Sequence, residues 1–338
     1  MKKTAEAVSL GHPDKTADYI SSYVLDRLIE QDKDIKYAVE VMVKDNTVIL
    51  GGEINTIANS DDIDIWVRNA LRDIGYDEEY SKLWGDFAIN INKLKILNMI
   101  GKQSADINRG VQQNGWGDQG VFVGYACRGG ENINQELYLA RKLNSAIYNL
   151  AKSDVNLGLG LDIKTQITLN NNGDIEIAIV AVPMLKDIFL HKFVQQTLGK
   201  SVGNIIINGT GRYTFHSSIA DCGITGRKLA CDFYSTAAPI GGGSPWTKDA
   251  SKADLTLNLY ARKLAVQYLG DNDECFVYLS SCIGRSELPS ATVRTIKDGL
   301  TKYQDIVIRK KPHEIISELG LNRPIFAQLC RKSTGLNE

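Results

Sequence analysis

The chain is 338 residues long, 43% hydrophobic and 23% charged, with 39 basic and 40 acidic residues and a formal net charge of −1. That length calls for two or three domains, and the composition is that of a folded globular protein. The near-neutral balance asks for no nucleic acid and no membrane as partner, so any polyanion site has to be a local cluster.

Cys127, Cys222, Cys231, Cys275, Cys282 and Cys330 form no C-x-x-C pair, and scattered thiols fit a reducing, cytoplasmic setting. Residues 1–8 lack the apolar core of a signal peptide. The longest apolar run, near 175–185, contains Glu176 and Pro183. It is too short to span a bilayer and reads as a buried strand.

In chain order, Ala17, Ile20, Val24 and Leu28 share one face of a helix over 17–30. Strands follow at 37–43 and 47–54, joined through Asp45-Asn46 as a two-residue turn. That turn pairs Lys44 with Thr47, Glu40 with Gly51 and Ala38 with Glu53. An amphipathic helix over 61–74 comes next, through Ile63, Val67, Leu71 and Ile74. The order returns with strands at 161–169 and 175–182 and a helix at 186–198. It returns again with strands at 275–282 and 291–296 and a helix near 312–319. Three such units predict an α+β chain of three similar α/β sandwich-like domains with pseudo-three-fold symmetry, helices lying on one face of mainly antiparallel sheets. The expected domains are 1–104, 115–213 and 214–338.

Four clusters carry chemistry. Gly11-His12-Pro13-Asp14-Lys15 stands at the start of the first helix, where free N–H groups and a partial positive charge favour phosphate. His12 and Lys15 would add donors and Asp14 a hard oxygen for Mg²⁺; an ordinary capped helix start is the other reading. Glu40 and Glu53 share one hairpin face as diagonal neighbours about 7–8 Å apart. They suit a cation, a substrate amine, or plain solvation. Alternation places Asp162, Lys164 and Gln166 on one strand face, lining a site or facing water.

The fourth cluster runs from Asn208 through Arg212-Tyr213, Asp221–Lys228 and Gly241–Asp254. Its glycines permit close approach to phosphate, and Arg227, Lys228, Lys248 and Lys252 can neutralise a triphosphate. Asp254 opens a helix carrying Leu257, Ala261 and Leu264, much as Asp14 opens the first. Two such helix starts can clamp one Mg²⁺–polyphosphate. The glycine loop is not a P-loop, because no Gly-Lys-Ser/Thr follows at the required spacing, and His191, His216 and His313 have no partners at ligand spacing.

These segments together resemble the methionine adenosyltransferase (S-adenosylmethionine synthetase) family. The matching words are Gly11–Lys15, Gly51–Ile54, Gly101–Ser104, Gly117–Gly120 with Gly124–Ala126, Asp162–Gln166, Asp221–Lys228 and Gly241–Asp254. Their order and separations follow the family to about residue 300. The resemblance implies an enzyme that joins ATP to L-methionine and cleaves the triphosphate to pyrophosphate and phosphate, with Mg²⁺ and K⁺ as cofactors. It implies a homodimer or dimer of dimers with shared active sites.

It also implies the roles. His12, Lys164, Arg227, Lys228 and Lys248 would be catalytic. ATP would be held by these with Asp162, Arg212, Tyr213, Asp221 and Ser244. Methionine would meet Glu53, Gln103, Asp118, Asp221 and Lys252. Asp14 and Asp254 would hold Mg²⁺, and Glu40 K⁺.

The chain departs from the pattern in several places. Leu10 replaces a usual Glu, and the stretch from Gln103 to Gly117 is short. Trp116 and Pro245-Trp246-Thr247 replace smaller residues, Ser235–Ile240 lacks the usual Gly-rich start, and the aromatic-Gly-His ending is missing. Whether Trp116 and Trp246 close the site in place of the missing loop is left open by the sequence. A silent nucleotide-binding homologue, or a polyphosphate hydrolase without methionine binding, would use parts of the same set.

Overall fold

The computed structural model describes residues 2–102 and 115–333. The strands are β1 (Lys3–Val8), β2 (Lys36–Lys44), β3 (Thr47–Asn55), β4 (Lys95–Lys102), β5 (Gly120–Cys127), β6 (Lys164–Leu169), β7 (Ile175–Ala181), β8 (Val202–Ile207), β9 (Gly223–Ile224), β10 (Glu274–Ser281), β11 (Ser290–Lys297) and β12 (Leu300–Asp305). The helices are α1 (Pro13–Ile29), α2 (Ile63–Ile74), α3 (Glu78–Trp84), α4 (Gln135–Ser153), α5 (His191–Leu198), α6 (Ser217–Ala220), α7 (Leu229–Asp232), α8 (Ala253–Leu269), α9 (Pro312–Glu318) and α10 (Phe326–Lys332). Among the described residues no helix is long and apolar enough to cross a membrane.

The strands form three four-stranded sheets in the orders β4-β3-β2-β9, β8-β7-β6-β1 and β12-β11-β10-β5. Each contains a hairpin, and each hairpin follows a long helix: α1 before β2, α4 before β6, α8 before β10. Each sheet is completed by a strand from elsewhere in the chain, respectively β9, β1 and β5. The long helix packs on both the hairpin's first strand and that borrowed strand in all three cases.

This is the expected α+β architecture with its three-fold likeness, but the repeating unit begins with a helix that the sequence pattern showed only twice. The missed helix is α4. The third sheet also differs, since β4 and β8 run parallel to their neighbours after helical crossovers. β12 instead turns straight back on β11 through Asp298-Gly299, both at positive φ.

The hairpin register is the expected one, with Lys44 opposite Thr47, Glu40 opposite Gly51 and Ala38 opposite Glu53, and Asp45 at φ 51°. Tyr37, Val39, Val41 and Val43 are buried where β2 packs under α1, in the same core as its Ala17, Ile20, Val24 and Leu28. Three helix starts shift: 17 moves to Pro13, 61 to Ile63 and 186 to His191, and the strand expected from 161 begins at Lys164.

α1 is not amphipathic in the expected way, because α2, α10 and the loop carrying Trp246 also pack on it. Asp26, placed by the pattern away from the core, is buried and caps α10 by accepting from Phe326 N at 2.8 Å and Ala327 N at 2.9 Å. The 175–181 strand alternates in burial instead of being buried throughout, since only one sheet face is covered.

Candidate active site

β2 organises the site, because its free edge recruits two distant loops. On that edge Met42 and Val43 pair with Ile224 and Gly223. Farther along, Val39 N donates to Thr247 O at 3.0 Å and Ala38 bridges Lys248. Asp249 then locks the second loop by accepting from Tyr37 N at 2.8 Å. Glu40 lies between the two loops. Its carboxylate accepts from the Thr225 hydroxyl on one side and from the Thr247 hydroxyl, at 3.1 Å, on the other. Glu40 and Glu53 do share a sheet face, but Glu40 is tied to two hydroxyls and is not merely solvated.

The start of α1 faces the first loop. His12 is its N-cap, and Nδ1 accepts from Asp14 N at 3.1 Å. Burial, then the charges of Lys228 and Lys164, push the His12 imidazole down to about 3. It is therefore neutral near pH 7, and with Nδ1 accepting, its proton sits on Nε2. Asp14 accepts from Ile224 N at 2.9 Å and from Lys228 Nζ at 2.6 Å, with Arg227 Nε 3.7 Å away. Burial pushes this carboxyl upward, but the hydrogen bonds from Lys228 and Ile224 outweigh it and hold the group below the usual carboxylate range.

Asp162 accepts from Ser217 N at 3.0 Å, while its shielded Oδ1 has no hydrogen-bond partner among the described residues. Burial lifts it to about 6 against the pull of Ser217 and Lys164, with Asp221 and Asp14 adding repulsion. The Asp162 charge is also felt by Tyr213. Thus His12, Asp14, Asp162, Lys164, Tyr213, Asp221, Arg227 and Lys228 meet from four separate stretches of chain.

A second cluster sits at the start of α8. Asp254 accepts from Gly243 N at 2.9 Å and pairs with Lys248. A Cβ on Gly242 would strike Asp254 Oδ1 at 2.3 Å, so the glycine loop folds directly onto this carboxylate. Ser244 Oγ accepts from Trp246 N at 3.3 Å. Asp14 and Asp254 are each engaged by a lysine of their own, forming two half-sites.

Other expected residues have contacts of their own. Arg212 donates to Leu185 O at 2.8 Å and lies 3.4 Å from Asp187. Asp118 bonds locally, to Gln119 N. Lys252 is the N-cap of α8. Gln103 lies outside the described residues.

Lys15 does not reach toward a phosphate. It is buried, 2.6 Å from Asp232 and 3.3 Å from Asp18, because the helix turns its side chain inward from His12 and Asp14. Trp116 and Trp246 are also buried, and the Trp246 indole donates to Asp232 at 2.8 Å. Neither tryptophan closes the site. His216 meets the stacked Tyr80 and Trp84 rings edge-on, with Nε2 2.5 Å from the Tyr80 hydroxyl. Sequence reasoning missed Thr225 and Thr247. Both lie inside recognised segments, yet their convergence on Glu40 depends on the shared edge of β2.

Known proteins agree with this architecture. Residues 1–105 match the model of the S-adenosylmethionine synthetase N-terminal domain, 113–218 the central domain and 216–335 the C-terminal domain. This chain belongs to the S-adenosylmethionine synthetase family. Among solved structures, an S-adenosylmethionine synthetase from Campylobacter jejuni described as unusual is similar over 98% of this chain and 94% of that one, at 28% identity and a TM-score of 0.85. For a synthetase-family chain, the His12–Asp14–Lys228 constellation and the Glu40–Thr225–Thr247 group are the natural places to look for chemistry.

Proposed function

We propose that this chain makes S-adenosylmethionine from ATP and L-methionine. The methionine sulfur attacks C5′, the C–S bond forms as the C5′–O bond breaks, and the triphosphate leaves with the electron pair. The triphosphate is then hydrolysed to pyrophosphate and phosphate. The observation that carries this reading is the convergence of a neutral His12, an ionised Asp14, Lys164, Arg227 and Lys228 at one helix start.

A thioether needs no deprotonation, so these groups serve alignment and leaving-group stabilisation. Neutral His12 offers Nε2–H to a phosphate oxygen, and Lys164, Arg227, Lys228 and Lys248 oppose its charge. Asp162, Tyr213, Asp221, Arg212 and Ser244 hold the nucleotide. Glu53, Gln103, Asp118, Asp221 and Lys252 take methionine.

The donor sets fit the expected ions. No group of three or more His, Cys, Asp or Glu among the described residues builds a metal cage. Asp14 and Asp254 would each supply one carboxylate to Mg²⁺, whose remaining positions suit phosphate oxygens and water. Bound there, Mg²⁺ neutralises polyphosphate charge. Glu40 with the Thr225 and Thr247 hydroxyls forms an oxygen-only set suited to K⁺.

A homodimer or dimer of dimers with shared sites is part of the same reading. The face carrying Glu40 also presents Leu97, Met99 and Ile224, which are 50%, 71% and 37% exposed. An apolar surface of this kind beside polar site residues suits self-association.

The test is a product assay with ATP, methionine, Mg²⁺ and K⁺, reading the sulfonium by mass and phosphate by colour, with Lys248→Ala as control. Methionine-dependent sulfonium lost in the variant supports the proposal. Phosphate without sulfonium indicates a polyphosphate hydrolase, and neither product in a folded, ATP-binding protein indicates a silent homologue.

A further inference from the structure

Two carboxylates one turn apart on α1 take backbone N–H groups from the same passing segment. Ile224 N donates to Asp14 Oδ1 at 2.9 Å and Gly226 N to Asp18 Oδ1 at 2.8 Å. Asp14 and Asp18 are an i, i+4 pair on one side of α1, and the turn at Thr225–Gly226, with Gly226 at φ 77°, brings the second amide to the second carboxylate. Upstream, Gly223 lies so close to α1 that a Cβ would meet Pro13 O at 2.1 Å. Residues 223–226 therefore run along the first turns of α1 and deliver Arg227 and Lys228. The far end of the segment is held as well, because Asp232 accepts from Lys15 at 2.6 Å and Lys15 reaches Asp18 Oδ2 at 3.3 Å.

Asp14 and Asp18 differ in what competes for them. Asp14 accepts from Ile224 N with one oxygen and from Lys228 with the other, so a polyphosphate that draws on Lys228 weakens the loop's own attachment. Asp18 is fully buried and bonds only inward, to Gly226 N and Lys15, among the described residues. We propose that Asp18, braced by Lys15, is a positioning residue that keeps Gly226–Lys228 on α1 while a polyphosphate engages Lys228. Lys15 thus acts through the loop, not on the ligand. This inference rests on the polyphosphate reading of the site given above.

The experiment is calorimetric titration of the full chain with an imido-bridged, hydrolysis-resistant analogue of inorganic triphosphate in the presence of Mg²⁺. Asp18→Asn keeps an oxygen acceptor for Gly226 N, and Asp18→Leu removes it at similar size. The expected result is binding within about threefold of wild type for Asp18→Asn, and at least about tenfold weaker for Asp18→Leu, the loss of one tethering hydrogen bond. If Asp18→Leu does not fold, Lys15→Met/Asp18→Leu/Asp232→Asn removes all three charges of the buried cluster together, so that none is left unpaired. The same tenfold loss is expected there.

Equal binding by the folded leucine variant and wild type overturns the proposal. So does equal weakening in the asparagine and leucine variants, since the charge and not the tether would then matter. Failure of wild type to bind the analogue also overturns it. Wild type that binds the analogue but makes no sulfonium refutes only the proposed synthesis.

Discussion

Lys228 Nζ donates to Asp14 Oδ2 at 2.6 Å, joining two residues 214 positions apart in the chain. The carboxylate is buried while the lysine side chain remains 20% exposed, so one end of the pair is fixed and the other can turn to a ligand. Lys228→Ala should lower kcat/KM for ATP by about 10²-fold or more, the usual cost of removing one preorganised charge-stabilising donor. Steady-state kinetics with a circular dichroism control checks this, and an unchanged kcat/KM would remove Lys228 from the site.

Glu40→Gln should abolish activation by monovalent cations while leaving the fold intact, because the amide still offers one oxygen to Thr225 or Thr247 but no charge to the ion. Activity measured across a K⁺ titration, against a bulky organic cation, reads the effect. A wild-type activation curve in the variant would place the K⁺ site elsewhere.

Two glycines on the same sheet should respond oppositely to a methyl group. Gly223→Ala drives a Cβ into the Pro13 backbone at 2.1 Å, whereas a Cβ at Gly51 meets nothing within 4 Å. Urea unfolding should show a loss above about 2 kcal/mol for Gly223→Ala and a change within about 0.5 kcal/mol for Gly51→Ala.

His216 gives a pH dependence of stability. Burial lowers its imidazole from 6.5 to about 4, partly opposed by the Thr214 carbonyl. Between these values the unfolded chain binds the extra proton and the folded one does not, so stability rises with pH. Its contribution is present above about pH 6.5 and is lost as pH falls toward 4, by an amount on the order of 3 kcal/mol. Denaturant midpoints from pH 7 to pH 4 should fall more steeply in wild type than in His216→Gln.

Trp246→Phe should cost about 1–2 kcal/mol, because the ring can still stack on Phe233 while Asp232 loses the indole N–H. Thermal denaturation measures it. A variant as stable as wild type would mean that the Lys15 and Ser333 contacts satisfy Asp232 without the indole.

Local pattern was enough for much of the fold and part of the site. Alternation and a two-residue turn set the β2–β3 register, because side chains on a strand repeat every two residues and a short turn leaves no freedom to slip. The pairing of β2 with β9, of β6 with β1 and of β10 with β5 joins segments too distant for local signals, and it escaped the sequence. Lys15 and Asp14 show the limit most sharply. Adjacent in the chain and alike in promise, they diverge because successive helical residues point about 100° apart. One faces the loop of Lys228, and the other the buried Asp18 and Asp232.

From the sequence alone came the family resemblance, the three hairpins with the helices that follow them, and the residue types able to hold a polyphosphate. Those follow from local periodicity and from the chemistry of each side chain. Tertiary structure alone decided that Thr225 and Thr247 close on Glu40, that Lys15 belongs to the core, and that Trp116 and Trp246 are buried. Each of those outcomes depends on which edges and faces meet across hundreds of residues, and no local pattern encodes that.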